Sequence, residues 1–370
     1  MDDCPPTPVP TPETQNRESI SQTILTVGAR RFIHVFNHEG RMVECTEEDV
    51  TDRVIAEQAV LLDVVDVDRE CPPDSLSYNP ADVVKSYVLM CSPAKIPELC
   101  AGFALTEGLI TSADLRSVEV LPIPASVTLG GIMPVPSPHA VLYRIRKEAP
   151  AAPLSRERVY TSGKLVPPVE ATPSPALTPC PVTATIPQSA LHLLQATLNA
   201  HQYIFKETGG AHAVALFRYR PPVAGGPATV GFLCHFEDVG RHNALEKCVG
   251  HLLLQGSLDP PATDTSRACP LFAACSGRVS SEMLVLCARA GIALLCSPAA
   301  PTSLAIRLAE RLGITLCCFV RERELREGRG REQQATVFAV PQRVCSDGPQ
   351  TAVAPRRRTP TPPKGKGRRM

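Results

Sequence analysis

The sequence has 370 residues, of which 44% are hydrophobic and 20% are charged, a balance typical of a globular chain with one large or two average domains. Its formal net charge of +1 excludes the strong overall charge that would point to nucleic acid or a membrane surface as partner. The longest apolar runs are shorter than the ~20 residues that a membrane-spanning helix requires, so we predict no nucleic acid and no membrane among its partners.

The 15 cysteines lie mostly within apolar runs such as "LLCSP" and "TLCCFV", and no C-x-x-C pair occurs. Cysteine used as a small hydrophobic residue is typical of a reducing compartment, and the spacing argues against a zinc ribbon or a dithiol redox site. The acidic, proline-rich start "MDDCPPTPVPTPET" is unlike a signal or transit peptide. We therefore expect a cytoplasmic protein without a secretory leader.

The first half of the chain predicts three regions. Residues 1–28 form a proline- and threonine-rich leader that we expect to be disordered. Residues 29–120 predict a small α+β segment with strands at "RFIHVF", "VIAEQAVLLDVV" and "VVKSYVLMCS", and with a helix in "KIPELCAGFALTEGLI", where Pro97 suits the first turn. Residues 121–187 are broken by proline and alanine runs, and they predict loops or insertions around one or two short strands, "AVLYRIRK" among them.

Residues 188–345 carry the clearest pattern, and it is that of an α/β core. Leu191, Leu194, Leu198 and Phe205 recur at roughly helical spacing and predict one helix that ends at "TGG". Strands at "AVALFRYR" and "TVGFLCHF" follow, then a helix at "ALEKCVGHLLLQ". Beyond it, strands at "LFAAC", "IALLC" and "ITLCCFV" alternate with helices at "SEMLVLCARA" and "SLAIRLAERL".

Gly291 and Gly313 stand where two of these helices should stop with a left-handed residue. Strands that are apolar throughout and alternate with helices predict a parallel sheet with both faces covered. We expect the remaining residues, 346–370, to form a basic, disordered tail.

Polar clusters stand at the junctions of the predicted strands and helices. They are "TGGAH" at 208–212, "EDVGRHN" at 237–243, "SGRVSSE" at 276–282 and "SPAAPTS" at 297–303, and "FVRERE" follows the last predicted strand. In open α/β sheets such junctions gather functional groups, and helix starts with nearby arginines bind phosphate. The arginines concerned are Arg241, Arg278, Arg321 and Arg323. The pattern predicts a cleft for a phosphorylated ligand, although any single cluster could be a helix cap with its charge-paired neighbours, and His212 could be structural.

A longer set of motifs resembles a known family. In chain order, "ALTEGLI", "FKETGGAHAVAL", "EDVGRHNALEKCVG", "SGRVSSEMLVLCARAGI", "SPAAPTSLAIRLAERLGITL" and "FVRERE" resemble the formate dehydrogenase accessory sulfurtransferases of the FdhD family, from about Arg53 to Arg323. The resemblance implies a cytoplasmic, typically dimeric α/β protein with a cytidine-deaminase-like three-layer core and a smaller α+β N-terminal segment. It also implies that sulfur is taken from a cysteine desulfurase and passed to the molybdenum (or tungsten) bis-guanine-dinucleotide cofactor of formate dehydrogenase or a related molybdoenzyme.

The resemblance assigns cofactor-binding positions residue by residue. Within "FVRERE" only the aromatic Phe319 and Arg321 are close to the family's pattern, whereas "TGGAH" and "EDVGRHN" match it almost letter for letter. The positions carried over are Thr208, Gly209, Gly210, His212, Asp238, Arg241, His242, Arg278, Phe319, Val320, Arg321, Glu322, Arg323 and Glu324.

One departure concerns the chemistry itself. The family usually carries a C-G-x-C-G-K loop whose cysteines relay a persulfide, and the corresponding place here is "VYTSGK", with Val159 and Ser162 where cysteines would stand. Gly163 and Lys164 remain. A persulfide carrier needs a reactive thiolate, so the resemblance leaves the catalytic position open, with Cys180 as the candidate replacement.

Two alternatives follow from these departures. A chain that keeps the cleft but lacks the relay cysteines would be a paralogue that binds the cofactor or a guanine nucleotide without transferring sulfur. A zinc-dependent, deaminase-like hydrolase would need an acidic residue two positions after His212 and a P-C-x-x-C helix start, but the chain has Val214 and "PCPV". We therefore predict no metal ligands.

Overall fold

The computed structural model describes residues 23–36, 39, 41–121, 138–145, 184–220, 229–258, 270–324 and 331–347. Within these ranges it has 14 strands and six α-helices. The strands are β1 (Ile24–Phe36), β2 (Met42–Ile55), β3 (Gln58–Val67), β4 (Val83–Cys91), β5 (Leu115–Leu121), β6 (His139–Ile145), β7 (Ile186–Pro187), β8 (His212–Arg220), β9 (Thr229–Asp238), β10 (Leu271–Cys275), β11 (Ile292–Cys296), β12 (Thr315–Glu324), β13 (Arg331–Ala339) and β14 (Val344–Cys345). The helices are α1 (Ile96–Thr106), α2 (Gln188–Ala200), α3 (Tyr203–Thr208), α4 (Arg241–Leu254), α5 (Ser281–Arg289) and α6 (Ser303–Leu312).

The main sheet has six strands in the order β13-β12-β11-β10-β8-β9. Strands β10, β11 and β12 are parallel, whereas β8, β9 and β13 join antiparallel to their neighbours. The prediction of a parallel sheet is therefore right for the centre and wrong for both sides. The links from β8 to β9 and from β12 to β13 are too short for the crossover of a dozen or more residues that parallel neighbours require.

Helices cover both faces of this sheet, as predicted. On one face α4, α5 and α6 pack in a hydrophobic core that also includes α1. On the other face the leucines of α2 pack against alternate residues of β8, β10 and β11. The protein is thus a mixed α/β fold with a three-layer core.

A second sheet, in the order β4-β3-β6-β5, forms the N-terminal α+β segment. It is joined to the core where α1 crosses α4, and this crossing is unusually close. A Cβ atom at Gly102 in α1 would overlap the backbone carbonyl of Glu246, and one at Gly250 in α4 would overlap that of Glu98. Both glycines are therefore required because helix backbones, rather than side chains, meet at this point.

The N-terminal predictions need three corrections. Strand β1 begins at Ile24, inside the leader that we expected to be disordered up to residue 28. Strand β2 was missed, because its sequence "MVECTEEDVTDRVI" is polar and solvent-exposed and is held by its pairing with β1 rather than by burial. The single strand predicted at "VIAEQAVLLDVV" is divided at Ala56 and Glu57 between β2 and β3.

Two predictions in the core also need correction. The single helix through Phe205 is two helices, because the chain leaves the helical conformation at Gln202 and α3 starts afresh on the carboxylate of Glu237. Phe205 is exposed rather than part of the leucine stripe. "FVRERE" does not follow the last strand but lies within β12, which continues because β13 pairs with it.

The other predicted strands and helices within the described ranges are confirmed, including the left-handed stops at Gly291 and Gly313. Most of the predicted leader (1–28), of the predicted loop region (121–187) and of the predicted basic tail (346–370) lies outside the described residues. None of the helices in the described ranges is long and apolar enough to span a membrane.

The close crossing of α1 and α4 generates a stability prediction. Gly102→Ala and Gly250→Ala should each lower the free energy of unfolding by roughly 1–3 kcal/mol or more, because one helix must move to admit the methyl group. This loss should outweigh the gain of about 1 kcal/mol in helix propensity that replacing glycine normally brings.

Urea unfolding followed by circular dichroism measures both changes. Gly28→Ala is the control, because a Cβ atom there meets nothing within 4 Å. If all three variants unfold at the same urea concentration as the wild type, the crossing is looser than described.

Candidate functional site

A cleft of about 270 Å³ opens at the edge of the main sheet where β10 and β11 end and β8 begins. Its walls come from the end of α2, from α3 and from three of the polar clusters. The lining residues are Asn199, Gln202, Phe205, Gly209, Gly210, Ala211, His212, Ser276 and Pro298.

Hydrogen bonds hold the clusters around the cleft. The Ala213 amide donates to Ser276 Oγ at 2.9 Å, and the Ser276 amide donates back to the Ala213 carbonyl at 3.0 Å. Ser297 Oγ then donates to the Gly277 carbonyl at 2.7 Å and accepts from the Ala299 amide at 3.0 Å. The loops after β10 and β11 are thereby fixed to the start of β8, as the strand-end pattern predicted.

His212 lies at the centre of this arrangement. A Cβ atom at Gly277 would lie 3.1 Å from Nδ1 of His212 and 3.8 Å from Cδ of Arg241, so the ring, the loop after β10 and the start of α4 meet here. Burial lowers the pKa of His212, and the nearby Arg241, His242 and Arg278 lower it further. The imidazole is therefore neutral near pH 7 and is surrounded by cationic or proton-donating groups, which is a setting that favours an anion.

The first turn of α4 reinforces this electrostatic setting. Its N-cap is Gly240, which offers no capping side chain, and its first turn contains no acidic residue, so the positive end of the helix dipole lies beside the cleft. Arg241 and His242 open the helix. His242 Nε2 lies 3.2 Å from Oε2 of Glu282, a buried residue of α5.

Asp238, which we expected to bind cofactor, has a different role. Its carboxylate is fully buried, lies 2.5 Å from Nζ of Lys247 and accepts hydrogen bonds from Ser92, Gly240 and Asn243. Ser92 follows β4, so this network ties the N-terminal sheet to the start of α4. Asp238 cannot touch a ligand without breaking the network, and we correct its assignment to a structural one.

Glu237 also serves the fold. Its two carboxylate oxygens accept the amides of Ile204 and Phe205 at 2.8 and 2.9 Å and so begin α3. The polar cluster 237–243 therefore divides in two. Its carboxylates hold neighbouring elements, whereas Arg241 and His242 are placed beside the cleft.

The residues of "FVRERE" also divide into some that lie near the cleft and others that lie away from it. Phe319 has a left-handed φ of 54°, and the register of β12 shifts at this point. Beyond it Arg321 Nε donates to the Pro298 carbonyl at 2.8 Å, with its guanidinium 5.5 Å from the Phe319 ring, so Arg321 borders the cleft.

The remaining residues of this stretch do not face the cleft in this way. The Val320 side chain is buried in the core. Glu322 pairs with Arg331, and Arg323 pairs with Glu332, along the exposed β12–β13 hairpin. Glu324 lies opposite Arg331 at the end of the same pairing.

Sequence reasoning missed several lining residues. Asn199, Gln202 and Phe205 were assigned to a helix with a buried stripe, and only the break at Gln202 turns them toward the cleft. Ser276 and Pro298 lay within recognised polar clusters, and their position directly after an apolar strand was a signal that could have identified them.

The positions of the expected sulfur relay, Val159, Ser162 and Cys180, lie outside the described residues. Among the cysteines that are described, burial raises the pKa of eight, which are Cys91, Cys100, Cys248, Cys275, Cys287, Cys296, Cys317 and Cys318. Cys275, next to the cleft, has a pKa of about 11. These thiols stay protonated near neutral pH and are poor nucleophiles.

Within the described ranges, no three or more histidine, cysteine, aspartate or glutamate side chains come together in a way that could hold a metal ion. Val214, which occupies the position that a deaminase-like hydrolase fills with glutamate, is fully buried in β8.

Residues 75–345 match the model of the FdhD/NarQ family. A sulfur carrier protein FdhD from Chromobacterium violaceum is 32% identical over 283 residues, which cover 75% of this chain and 94% of that protein. The protein of the same name from Burkholderia cenocepacia is 34% identical over 244 residues, or 64% and 78% of the two chains. A formate dehydrogenase accessory protein from Desulfotalea psychrophila shares the fold, with a TM-score of 0.50 at 20% identity over 86% of this chain and 99% of that one.

The network around Asp238 generates a second stability prediction. Lys247→Met should lower the free energy of unfolding by about 3–5 kcal/mol, because it leaves a buried carboxylate without its counter-ion. Arg53→Gln is the matched control, since it removes an ion pair with Glu207 that is exposed and should cost less than about 1 kcal/mol.

Urea unfolding of Lys247→Met, of Asp238→Asn and of the double variant that carries both changes completes the test. The double variant should lose less stability than the sum of its two single variants, because the two groups interact directly. Strict additivity would mean that the ion pair does not hold the junction together.

Proposed function

Because the chain belongs to the FdhD/NarQ family, we propose that it acts in the maturation of formate dehydrogenase or a related molybdoenzyme, and that its cleft binds the guanine-dinucleotide form of the molybdenum (or tungsten) cofactor. The names of the relatives, sulfur carrier and formate dehydrogenase accessory protein, support the general role. The observation that carries the ligand assignment is the meeting of Arg241, His242, Arg278 and His212 at a helix start whose first turn has no acidic residue and where the nearby carboxylate of Asp238 is paired with Lys247.

The residues of the cleft fit such a ligand. Phosphate groups are bound by helix N-termini and by the forked donors of arginine, and Arg241 stands where both act together. The exposed ring of Phe205 offers a face on which a guanine base can stack, and the amides of Asn199 and Gln202 offer donors and acceptors to its edge.

The chain's own residues would bind and orient the cofactor rather than transform it. The neutral His212 would donate or accept a hydrogen bond without adding charge, and Glu282 lies beside His242. When bound, the cofactor supplies the metal centre that receives sulfur.

Sulfur transfer would require a second step. A thiolate of this chain would attack the outer sulfur of the desulfurase persulfide, the S–S bond would break, and the desulfurase thiolate would leave. The relay positions hold Val159 and Ser162, which cannot take part, and the buried thiols near the sheet are protonated. Cys180 is the candidate carrier, and without it the chain would be a paralogue that binds the cofactor or a guanine nucleotide but transfers no sulfur.

Membership of the family also supports three wider parts of the proposal. These are a cytoplasmic homodimer, a cysteine desulfurase as sulfur donor, and a core with the cytidine-deaminase arrangement. The three parallel central strands between two helical layers support the last point. The zinc-hydrolase alternative has no support, because Val214 replaces the acidic residue that would move protons.

Ligand binding is tested with GDP, which stands in for the guanine-dinucleotide end of the cofactor. Arg241→Ala and Arg321→Ala should each weaken GDP binding by about 1.5–3 kcal/mol, the magnitude of a charge-assisted hydrogen bond. Arg323→Ala is the control, because the guanidinium of Arg323 is paired with Glu332 away from the cleft.

Isothermal calorimetry distinguishes the outcomes. Equal weakening in all three variants would indicate general electrostatic attraction, and unchanged affinity in Arg321→Ala would remove that residue from the site. No GDP binding by the wild type would contradict the cleft assignment.

The sulfur step is tested by mass spectrometry after incubation with a cysteine desulfurase and cysteine. The wild type should acquire little persulfide, and any that forms should disappear in Cys180→Ala. The double change Val159→Cys and Ser162→Cys should restore persulfide at the loop, because it returns the thiol pair that the family uses. Strong wild-type labelling that is lost in Cys180→Ala would establish Cys180 as the sulfur carrier and contradict the non-transferring alternative.

A further inference from the structure

Strand β12 is irregular at the point where it reaches the cleft. Its pairing with β13 skips a position between Cys318 and Arg321, so that Phe319 and Val320 together face a single residue of β13. Two residues of one strand against one residue of its partner form a β-bulge, which bends the strand and redirects the side chains that follow. The bulge therefore separates the buried half of β12 from the half that borders the cleft.

The bulge changes which face of the sheet the side chains of β12 reach. Cys317 belongs to the core that includes α2, and Cys318 belongs to the core on the other face, which includes α4, α5 and α6. Strict alternation would return Phe319 to the α2 face, but Phe319 packs on the same side as Cys318. Val320 is the residue that returns to the α2 face. The side chains beyond the bulge are thus shifted by one position.

This shift decides which charge lies on the side of α4. Alternation beyond Val320 turns Arg321 toward the face of α4 and Glu322 toward the face of α2. Burial lowers the pKa of His192 in α2, and the nearby carboxylate of Glu322 acts against that change, which agrees with the α2 face for Glu322. A strand without the bulge would have Glu322 on the side of α4. It would then bring a carboxylate, instead of a guanidinium, to a cleft for anions.

Phe319 holds the bulge in a conformation that a side chain disfavours. Its φ of 54° is left-handed, and the first residue of a bulge in this conformation is usually glycine. The Phe319 amide donates to the Ala299 carbonyl at 3.3 Å, and the next amide, of Val320, donates to the Ser297 carbonyl at 3.0 Å. The Phe319 ring packs on Phe338 with centroids 6.0 Å apart. Backbone strain persists where the surroundings impose it, and it is concentrated at functional sites.

The position of Arg321 is the consequence of this bulge. Arg321 Nε donates to the carbonyl of Pro298, a lining residue of the cleft, at 2.8 Å, and the guanidinium lies 5.5 Å from the Phe319 ring. The two terminal nitrogens of Arg321 donate to no residue that the structure describes. They are therefore available as a forked pair of donors for a phosphate group.

We propose that Phe319 is a positioning residue, whose left-handed bulge turns the guanidinium of Arg321 toward the cleft without a ligand contact of its own. The inference rests on the proposed function, because it takes Arg321 as a ligand-binding residue. It goes further by separating the backbone conformation of Phe319, which the site requires, from the ring, which only supports the guanidinium. It also replaces the expectation that Phe319 binds the cofactor directly.

The test compares two substitutions that both remove the ring of Phe319 but differ in the backbone conformation they allow. Phe319→Gly permits the left-handed bulge, whereas Phe319→Val opposes it because a β-branched residue disfavours positive φ. In calorimetry, Phe319→Val should weaken GDP binding by about 10- to 100-fold, the loss expected for a charge-assisted contact. Phe319→Gly should bind GDP at least about fivefold more tightly than Phe319→Val.

The matched control is Val340→Gly. Val340 has a left-handed φ of 49°, and its carbonyl accepts a hydrogen bond from Thr315 at the start of β12, at the other end of the strand from the bulge. The substitution relieves the same kind of backbone strain away from the cleft. Val340→Gly should therefore bind GDP like the wild type.

A double variant shows whether Phe319 acts through Arg321. Phe319→Val combined with Arg321→Ala should bind GDP no more weakly than Arg321→Ala alone, because the positioned group is already absent. Urea unfolding checks that each variant is folded. If Phe319→Val does not fold, Phe319→Ala takes its place, since alanine also disfavours the left-handed conformation and fills less space.

Three calorimetric results would overturn the proposal. They are equal losses in Phe319→Gly and Phe319→Val, which would make the ring itself the binding group, no loss in Phe319→Val, and additive losses in the double variant. If the wild type does not bind GDP, the proposed ligand is wrong, and crystal structures of the two single variants decide the positioning role. The hydrogen bond from Arg321 to Pro298 should persist in Phe319→Gly and be absent in Phe319→Val. Its presence in both variants would contradict the inference.

Discussion

The buried carboxylate of Asp238 is the interaction on which the arrangement of this protein depends. It receives the Lys247 ammonium, the hydroxyl and amide of Ser92, and the amide of Gly240, so it joins the end of β4 to the start of α4. Asn243 extends the same network to the carbonyl of Met90. A fully buried charge held by so many partners fixes each partner's position closely.

This network determines where the residues around the cleft lie. Arg241 and His242 follow Gly240 directly, so the direction in which they leave the sheet is set by the hydrogen bonds of Asp238, a fully buried residue that does not line the cleft. The second carboxylate of the cluster, Glu237, sets the start of α3 and with it the position of Phe205. Two buried acids thus place the basic and aromatic groups of the site, which explains why so many polar residues stand at one junction.

The central strands and their helices could be predicted from the sequence because their burial is visible in it. "LFAAC", "IALLC" and "ITLCCFV" are apolar throughout, and left-handed glycines end the helices between them. Strand β2 could not be predicted because its pairing with the neighbouring β1, rather than an apolar pattern, holds it in place. The break at Gln202 could not be predicted because it depends on Glu237, which lies more than 30 residues further along the chain. The antiparallel sides were missed although the short links from β8 to β9 and from β12 to β13 indicate hairpins. The same limit applies to the site, since polarity marks a junction as special but does not tell whether a carboxylate such as Asp238 faces a ligand or a lysine.

The contact of α1 with α4 constrains how the molecule can move. Helices that are separated by a layer of side chains can slide past one another as rotamers readjust. At Gly102 and Gly250 that layer is absent and the backbones themselves touch, so sliding would drive carbonyl groups into the neighbouring helix. We therefore expect the N-terminal sheet and the core to move together, and we expect any adjustment of the cleft to occur on its opposite wall, where the short helix α3 starts on the carboxylate of Glu237.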